Sequence, residues 1–270
     1  MNEYKVNNLN EYIDKVTEIR NKEASELWFR GHSKEIYQLR PNFFRDRENL
    51  EEIKLKELET KLNRAFNEKA ISFLKYSGDD NDDSPYASWR KFFLMQHYGA
   101  PTRLLDWTEN AITAICFALF DHKLNSTPDT DAHVWILNPS RWNNRVNTNL
   151  KSPASIDNNA SDPYQPLPNK TSHLASERPL AIYGMHNNSR ISRQQGTFVV
   201  FPAGKTDCMV THAQNLWNGK DSSPLHKIII EKTKIISINK IIRSIGFNNS
   251  SIYPDLHGLA GDLKAMLEDA

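Results

Sequence analysis

Between residues 96 and 118 a polar run is set directly against an apolar helix. The run is Gln96-His97-Tyr98-Gly99-Ala100-Pro101-Thr102-Arg103-Leu104-Leu105-Asp106-Trp107-Thr108, and Glu109-Asn110-Ala111-Ile112-Thr113-Ala114-Ile115-Cys116-Phe117-Ala118 follows at once. Gly99 and Pro101 punctuate a turn. Thr102 to Trp107 is short and mostly apolar, which predicts a buried strand. Thr108 is the expected N-cap, since its hydroxyl can accept a bond from a free helix N–H. Glu109 then places negative charge in the first turn, where the helix dipole favours it. Ala111, Ala114 and Ala118 recur at helical spacing, and side chains that small let a helix backbone approach its neighbours closely. The segment therefore reads as strand, sharp turn and tightly packed helix, with Arg103, Asp106 and Thr108 near the junction. Taken alone, this pattern fits a structural corner with an internal Arg–Asp pair as well as it fits a site.

The remaining elements fall on either side of that corner. Leu9, Tyr12, Ile13 and Val16 predict an amphipathic helix over 8–20, and Glu26 to Arg30 a strand stopped by Gly31. Leu50, Ile53, Leu55, Leu58, Leu62, Ala65, Phe66 and Phe73 give a helix over 48–74, and 86–97 an aromatic-rich one. The acidic run 77–85 lacks the glycine and the terminal glutamate of a calcium loop, so it reads as a solvated linker. Strands are expected over 132–139, ending at the proline, at 179–183, after a turn within 193–202, and at 226–230, and helices at 234–245 and 254–268, the last capped by Pro254-Asp255. Residues 140–178, rich in Asn, Ser and Pro, form a long connection of the kind that carries function. Strands and helices alternate irregularly with no internal repeat and no clean linker, so the expected class is α+β in one domain.

Composition excludes more than it selects. The net charge of +1 announces no nucleic-acid partner, although arginines cluster locally at Arg40, Arg45 and Arg47 and at Arg190 and Arg193. Cys116 and Cys208 are the only cysteines, which argues against a disulfide framework and for a reducing compartment. The first residues hold no apolar signal core, and no stretch is apolar enough to span a membrane, so the expected location is cytoplasmic. The nine histidines fall outside any HExxH-like spacing and no CxxC is present, so no metal is expected. Glycine loops of the GxGxxG and GxxxxGK[ST] types and the GxSxG elbow are also missing from the sequence.

Several blocks nevertheless resemble one family. Phe29-Arg30-Gly31-His32, then Leu39-Arg40-Pro41 and Phe44-Arg45, is similar to the opening of the FRG domain. The run from Gln96 to Thr108 resembles its central motif. Arg193-Gln194-Gln195-Gly196-Thr197-Phe198 and Ile252-Tyr253-Pro254-Asp255-Leu256-His257-Gly258-Leu259 resemble its later blocks. The resemblance extends from about residue 26 to about residue 265, which leaves residues 1–25 as an N-terminal helical extension before an FRG domain at 26–270.

The order of those blocks resembles an ADP-ribosyltransferase core, a split β-sheet with flanking helices, and this implies NAD as substrate with no metal. By position, Arg30 would hold the pyrophosphate, with Gly31, His32, Tyr98, Arg103, Trp107, Thr108 and Gln194 around the cofactor. A guanidinium fork suits a phosphate, and Tyr98 or Trp107 could stack on nicotinamide. Loss of nicotinamide leaves an oxocarbenium-like centre that a carboxylate would stabilise. At the position usually held by Glu this chain has Gln195, which carries no charge. Asp106, Glu177 or Asp255 would have to replace it, and Asp106 is preferred because it lies in the central motif. The catalytic set implied is thus Arg30, Asp106 and Gln195. The expected reaction is transfer of ADP-ribose to a macromolecular acceptor, RNA somewhat favoured over protein. The resemblance places it in an intracellular bacterial toxin or phage-defence effector with a neutralising antitoxin protein and no membrane partner. Rival readings are an NAD glycohydrolase and a non-enzymatic nucleotide- or protein-binding module.

Overall fold

Glycine at position 31 is where the fold closes most tightly. In the computed structural model, which describes residues 2–70, 85–146, 153–155, 177–184, 189–218 and 222–268, the strands are β1 (Asn2–Val6), β2 (Trp28–His32), β3 (Leu104–Thr108), β4 (Ala132–Leu137), β5 (Ala154–Ser155), β6 (Leu180–Tyr183), β7 (Gly196–Val200) and β8 (Leu225–Ile230). The helices are α1 (Leu9–Glu23), α2 (Glu52–Ala70), α3 (Pro85–His97), α4 (Ala111–Leu119), α5 (Pro139–Val146), α6 (Ser189–Gln194), α7 (Met209–Leu216), α8 (Lys232–Ser244), α9 (Asn249–Ile252) and α10 (Leu256–Glu268), with a 3-10 turn at Asn42–Phe44. Gly31 does not stop β2 as expected but lies inside it, directly under α4. A Cβ there would meet the Ala114 carbonyl oxygen at 2.0 Å and the Ala118 nitrogen at 2.6 Å. The small residues of α4 do let helix and strand backbones touch, and Gly31 supplies the other half of the contact.

The described strands form one mixed sheet in the order β1-β8-β4-β2-β3-β7-β6-β5, parallel at its two ends and antiparallel between. Its helices cover both faces, so the chain is of the mixed α and β class expected. On one face α1, α4 and α8 bury Tyr12, Phe29, Ile115, Ile228 and Ile238. On the same face, α3 covers the other half of the sheet through Trp89, Phe93, Leu104 and Phe198. On the opposite face α2, α5, α7 and the 3-10 turn bury Trp28, Phe43, Leu55, Trp107, Trp135, Trp142 and Met209. Each such apolar side chain contributes roughly 1.5–3 kcal/mol when fully buried.

The sheet is weakest in its middle. β2 pairs with β4 over five residues and β3 with β7 over five, but β2 and β3 share the single pair Phe29–Thr108. Beyond that pair the two strands diverge. The gap between them opens between α4, which covers β2, and α3, which covers β3.

Several boundaries shift from expectation. β3 runs Leu104–Thr108 rather than starting at Thr102, because Thr102 and Arg103 turn away to bond α3 and α2. Thr108 does not cap α4. Asn110 does, its side chain accepting from Ile112 N at 2.9 Å and Thr113 N at 3.1 Å, so Glu109 precedes the helix. Asp255 caps α10 as expected, accepting from His257 N and Gly258 N. The N-terminal segment contributes α1 and also β1, which pairs in parallel with β8. The polar connection after β4 contains α5, anchored by the buried Trp142. The acidic run 77–84, the last positions of the helix expected to 74, and most of 147–176 lie outside the described residues. Cys116 is buried in α4, and burial pushes its thiol up to about 12.

Replacing Gly31 with alanine should force α4 off β2, because both clashing atoms are backbone. Urea denaturation of Gly31→Ala should show a loss of at least about 1–3 kcal/mol, the range for overpacked cores.

Candidate functional site

The β2–β3 gap forms the floor of a cleft of about 390 Å³. Phe117 and Tyr253 line it on the α4 side, and Phe93, Gln96 and His97 of α3 line it on the other. Arg30, His32, Ser33, Tyr37 and Arg45 border one end, and Thr108, Gln194 and Gly196 the other. The volume lies within the usual range for small-molecule sites, roughly 300–1,000 Å³.

Arg30 spans the gap. Its Nη1 donates to the main-chain oxygen of Asp106 at 2.5 Å, a carbonyl left free where β3 no longer pairs with β2. The same nitrogen lies 4.0 Å from Asp106 Oδ2, and Arg30 Nε donates to His32 Nε2 at 3.0 Å. The Arg30 side chain is 17% exposed. Burial lowers its pKa to about 10, with Asp106 opposing and Arg45 adding to the shift, so it remains cationic at neutral pH. Burial first, and then the charge of Arg30, push His32 down to about 2. Its imidazole is therefore neutral, and since Nε2 accepts from Arg30, the proton resides on Nδ1. A fixed cation and a carboxylate thus face one cleft beside several aromatic rings.

The other expected residues divide. Gly31, Trp107, Thr108 and Gln194 line the cleft with Arg30, His32 and Asp106. The Thr108 hydroxyl is already committed: it donates to Gln194 O at 2.5 Å and accepts from Asn110 N at 3.0 Å. Gln194 Nε2 donates to Ile252 O, tying α6 to α9. Tyr98 is 71% exposed and borders a separate apolar groove with Leu62, Phe66, Met95 and Pro101. Arg103 is buried away from the cleft. Its Nε donates to Glu59 Oε1 at 2.6 Å and its Nη1 to Phe201 O, with the guanidinium over the Phe92 ring. Gln195 is not among the lining residues. It is an exposed turn residue at φ 48° whose carbonyl accepts from Glu109 N. Glu177 and Asp255 do not line the cleft either, so of the three carboxylates expected only Asp106 does, with Asp121 lining it as well.

Lining residues that the sequence did not assign to the site include Gln96, Arg45, Phe117, Asp121 and Tyr253. Gln96, Arg45 and Tyr253 sit inside motifs, so the signal was present. Phe117 read only as part of the apolar helix, and Asp121 carried no signal. Among the described residues no group of three or more His, Cys, Asp or Glu converges as a metal site, and no helix is long and apolar enough to cross a membrane.

Comparison with known proteins gives one result. A family model described as the FRG domain matches residues 25–127, a span that includes both Arg30 and the run from Gln96 to Thr108. The later blocks, from Arg193 onward, lie outside the matched span. No curated protein and no solved structure matches the chain.

Two outcomes follow from this geometry. Arg103→Met would leave Glu59 buried without its partner, so urea denaturation should show a loss of about 3–5 kcal/mol, largely restored in the Arg103→Met/Glu59→Met double variant. His32, held at about 2 against an ordinary 6.5, takes up its proton more readily in the unfolded chain. Its contribution to stability is therefore complete above pH 6.5 and declines as pH falls towards 2, by up to about 1.4 kcal/mol per pH unit. His133, lowered to about 4 mainly by burial, adds the same sign between 6.5 and 4. Denaturant midpoints from pH 7 to pH 4.5 should fall less steeply in His32→Asn than in the wild type.

Proposed function

We propose that this chain, whose residues 25–127 are an FRG domain, binds NAD in the β2–β3 cleft and transfers ADP-ribose from it to a macromolecular acceptor, releasing nicotinamide. The observation that carries the reading is the convergence of Arg30 and Asp106, 4.0 Å apart, on the floor of one cleft lined by Phe93, Phe117, Phe198 and Tyr253. Arg30 is fixed by His32 and the Asp106 carbonyl, and Arg45 borders the same end, so two guanidinium groups are available to a diphosphate. The aromatic rings offer surfaces for a base or a nicotinamide ring. Asp106 carries the negative charge that would stabilise the ribose carbon as its bond to nicotinamide lengthens. Gln195, displaced from the cleft, takes no part in this step.

The acceptor we favour is RNA. Arg40, Arg45 and Arg47 lie on one short stretch, and Arg45, exposed and lining the cleft, could take a phosphate and draw a single strand towards it. An activity of this kind inside a cell is damaging, which fits a bacterial toxin or phage-defence effector held by a neutralising protein.

The test is incubation with NAD labelled in the adenosine half, separately with cellular RNA, DNA and protein. Label should enter the RNA pool, less of it as salt rises, and should fall about 100-fold or more in Asp106→Asn and in Arg30→Ala. Nicotinamide release with no labelled macromolecule would make water the acceptor. Unchanged NAD in every pool would remove the reaction and leave a binding module.

A further inference from the structure

We infer that Gln96 is a positioning residue for Asp106, fixing through its side-chain amide the carboxylate on which the proposed NAD cleavage depends. The inference rests on that reading for its catalytic consequence and on geometry alone for the contact itself.

Asp106 needs holding. Its side chain is 57% exposed at the edge of the gap, and the short bond from Arg30 goes to its backbone oxygen and not to its carboxylate. A carboxylate in that position is free to turn about two side-chain torsions, and loosely placed charge loses most of its value in a transition state. Gln96 supplies the missing constraint. Its Nε2 lies 2.9 Å from Oδ1 and 2.8 Å from Oδ2, so the amide group straddles both oxygens.

A glutamine amide could present either end, and here the carboxylate, which can only accept, settles the choice. The NH₂ faces Asp106, and Oε1 is left to accept from the Thr102 hydroxyl, which in turn accepts from the Leu104 N–H at 3.1 Å. The three bonds make a relay. The relay is local in its origin. Gln96 stands in the last turn of α3, which closes through the Ala100 N–H to Met95 O bond and the left-handed Gly99, φ 77°. That closure folds Thr102 back beneath the helix end, just before β3 begins. The other charged and titratable groups lining the cleft are Arg30, His32, Tyr37, Arg45, His97, Asp121 and Tyr253.

The test has two arms. In the first, the side-chain amide protons of Gln96 are assigned by NMR, by their disappearance in Gln96→Leu. They should shift in both Asp106→Asn and Thr102→Val, since each variant removes one end of the relay. Resonances that stay in place in both overturn the inference. In the second, Gln96→Leu should lower kcat for nicotinamide release about tenfold, the loss of one hydrogen bond to a charged group, with KM unchanged. Thr102→Val, close in shape, should lower it less and in the same direction. In an Asp106→Asn background, Gln96→Leu should add nothing, because the residue acts through that carboxylate. A full additional loss in that background overturns the positioning role. If Gln96→Leu does not fold, Gln96→Met serves for the assignment and Thr102→Val carries the kinetic arm. A wild type that releases no nicotinamide removes the catalytic reading, while the NMR arm still decides the contact.

Discussion

One broken pairing organises this molecule. β2 and β3 meet at Phe29 and Thr108 and then part. A sheet that opens in its interior exposes backbone groups that must find other partners. Arg30 answers that need by donating to the Asp106 carbonyl across the opening. The side chain that repairs the backbone is thereby the one whose charge lies at the floor of the cleft. Burial, and after it the charge of Arg30, keep His32 neutral, and its neutral ring in turn accepts from Arg30. Had the two strands stayed paired, there would be neither a cleft nor a reason for a cation within it.

The walls are held by different means. α4 is set by steric closeness, with its backbone against Gly31, and α3 by the packing of Trp89 and Phe93 on the sheet, with polar bonds from Gln96 to the strand and the turn before it. α2 is tied to the sheet by the buried Arg103–Glu59 pair. Burial raises the Glu59 carboxyl while Arg103 opposes it, so the pair is held together against a desolvation penalty. Such a pair contributes little net stability but punishes any arrangement that separates its partners. It fixes where α2 lies.

Periodicity made most elements legible: α1, α2, α3, α8 and α10 and the strands β4, β6, β7 and β8 fall close to their expected spans. What escaped had a physical reason in each case. β1 alternates Asn2, Tyr4 and Val6, half-buried or buried, with exposed Glu3 and Lys5 at a sheet edge, too short an apolar pattern to notice. Gly31 reads as a breaker when only the strand is considered, and its purpose appears once α4 lies on it. Thr108 and Asn110 are both good caps, and only the hydrogen bonds separate them. Within the central motif, alternation of a strand sends neighbouring residues to opposite faces. Arg103 and Asp106 stand three apart, yet one is locked in the interior and the other lines the cleft. Tyr98 lies beyond the helix end and turns away. A motif marks a neighbourhood, and the backbone decides which of its members meet.

The parallel edge formed by β1 and β8 bears on how the chain reaches this state. Asn2 and His226 come within 3.5 Å of one another at a sequence separation of 224 residues. β1 is therefore made well before its only described partner, β8. Such long-range pairing is slow to form and leaves an unpaired edge while it waits. This edge of the sheet cannot close until β8 has been made, and until then β1 needs protection from other chains.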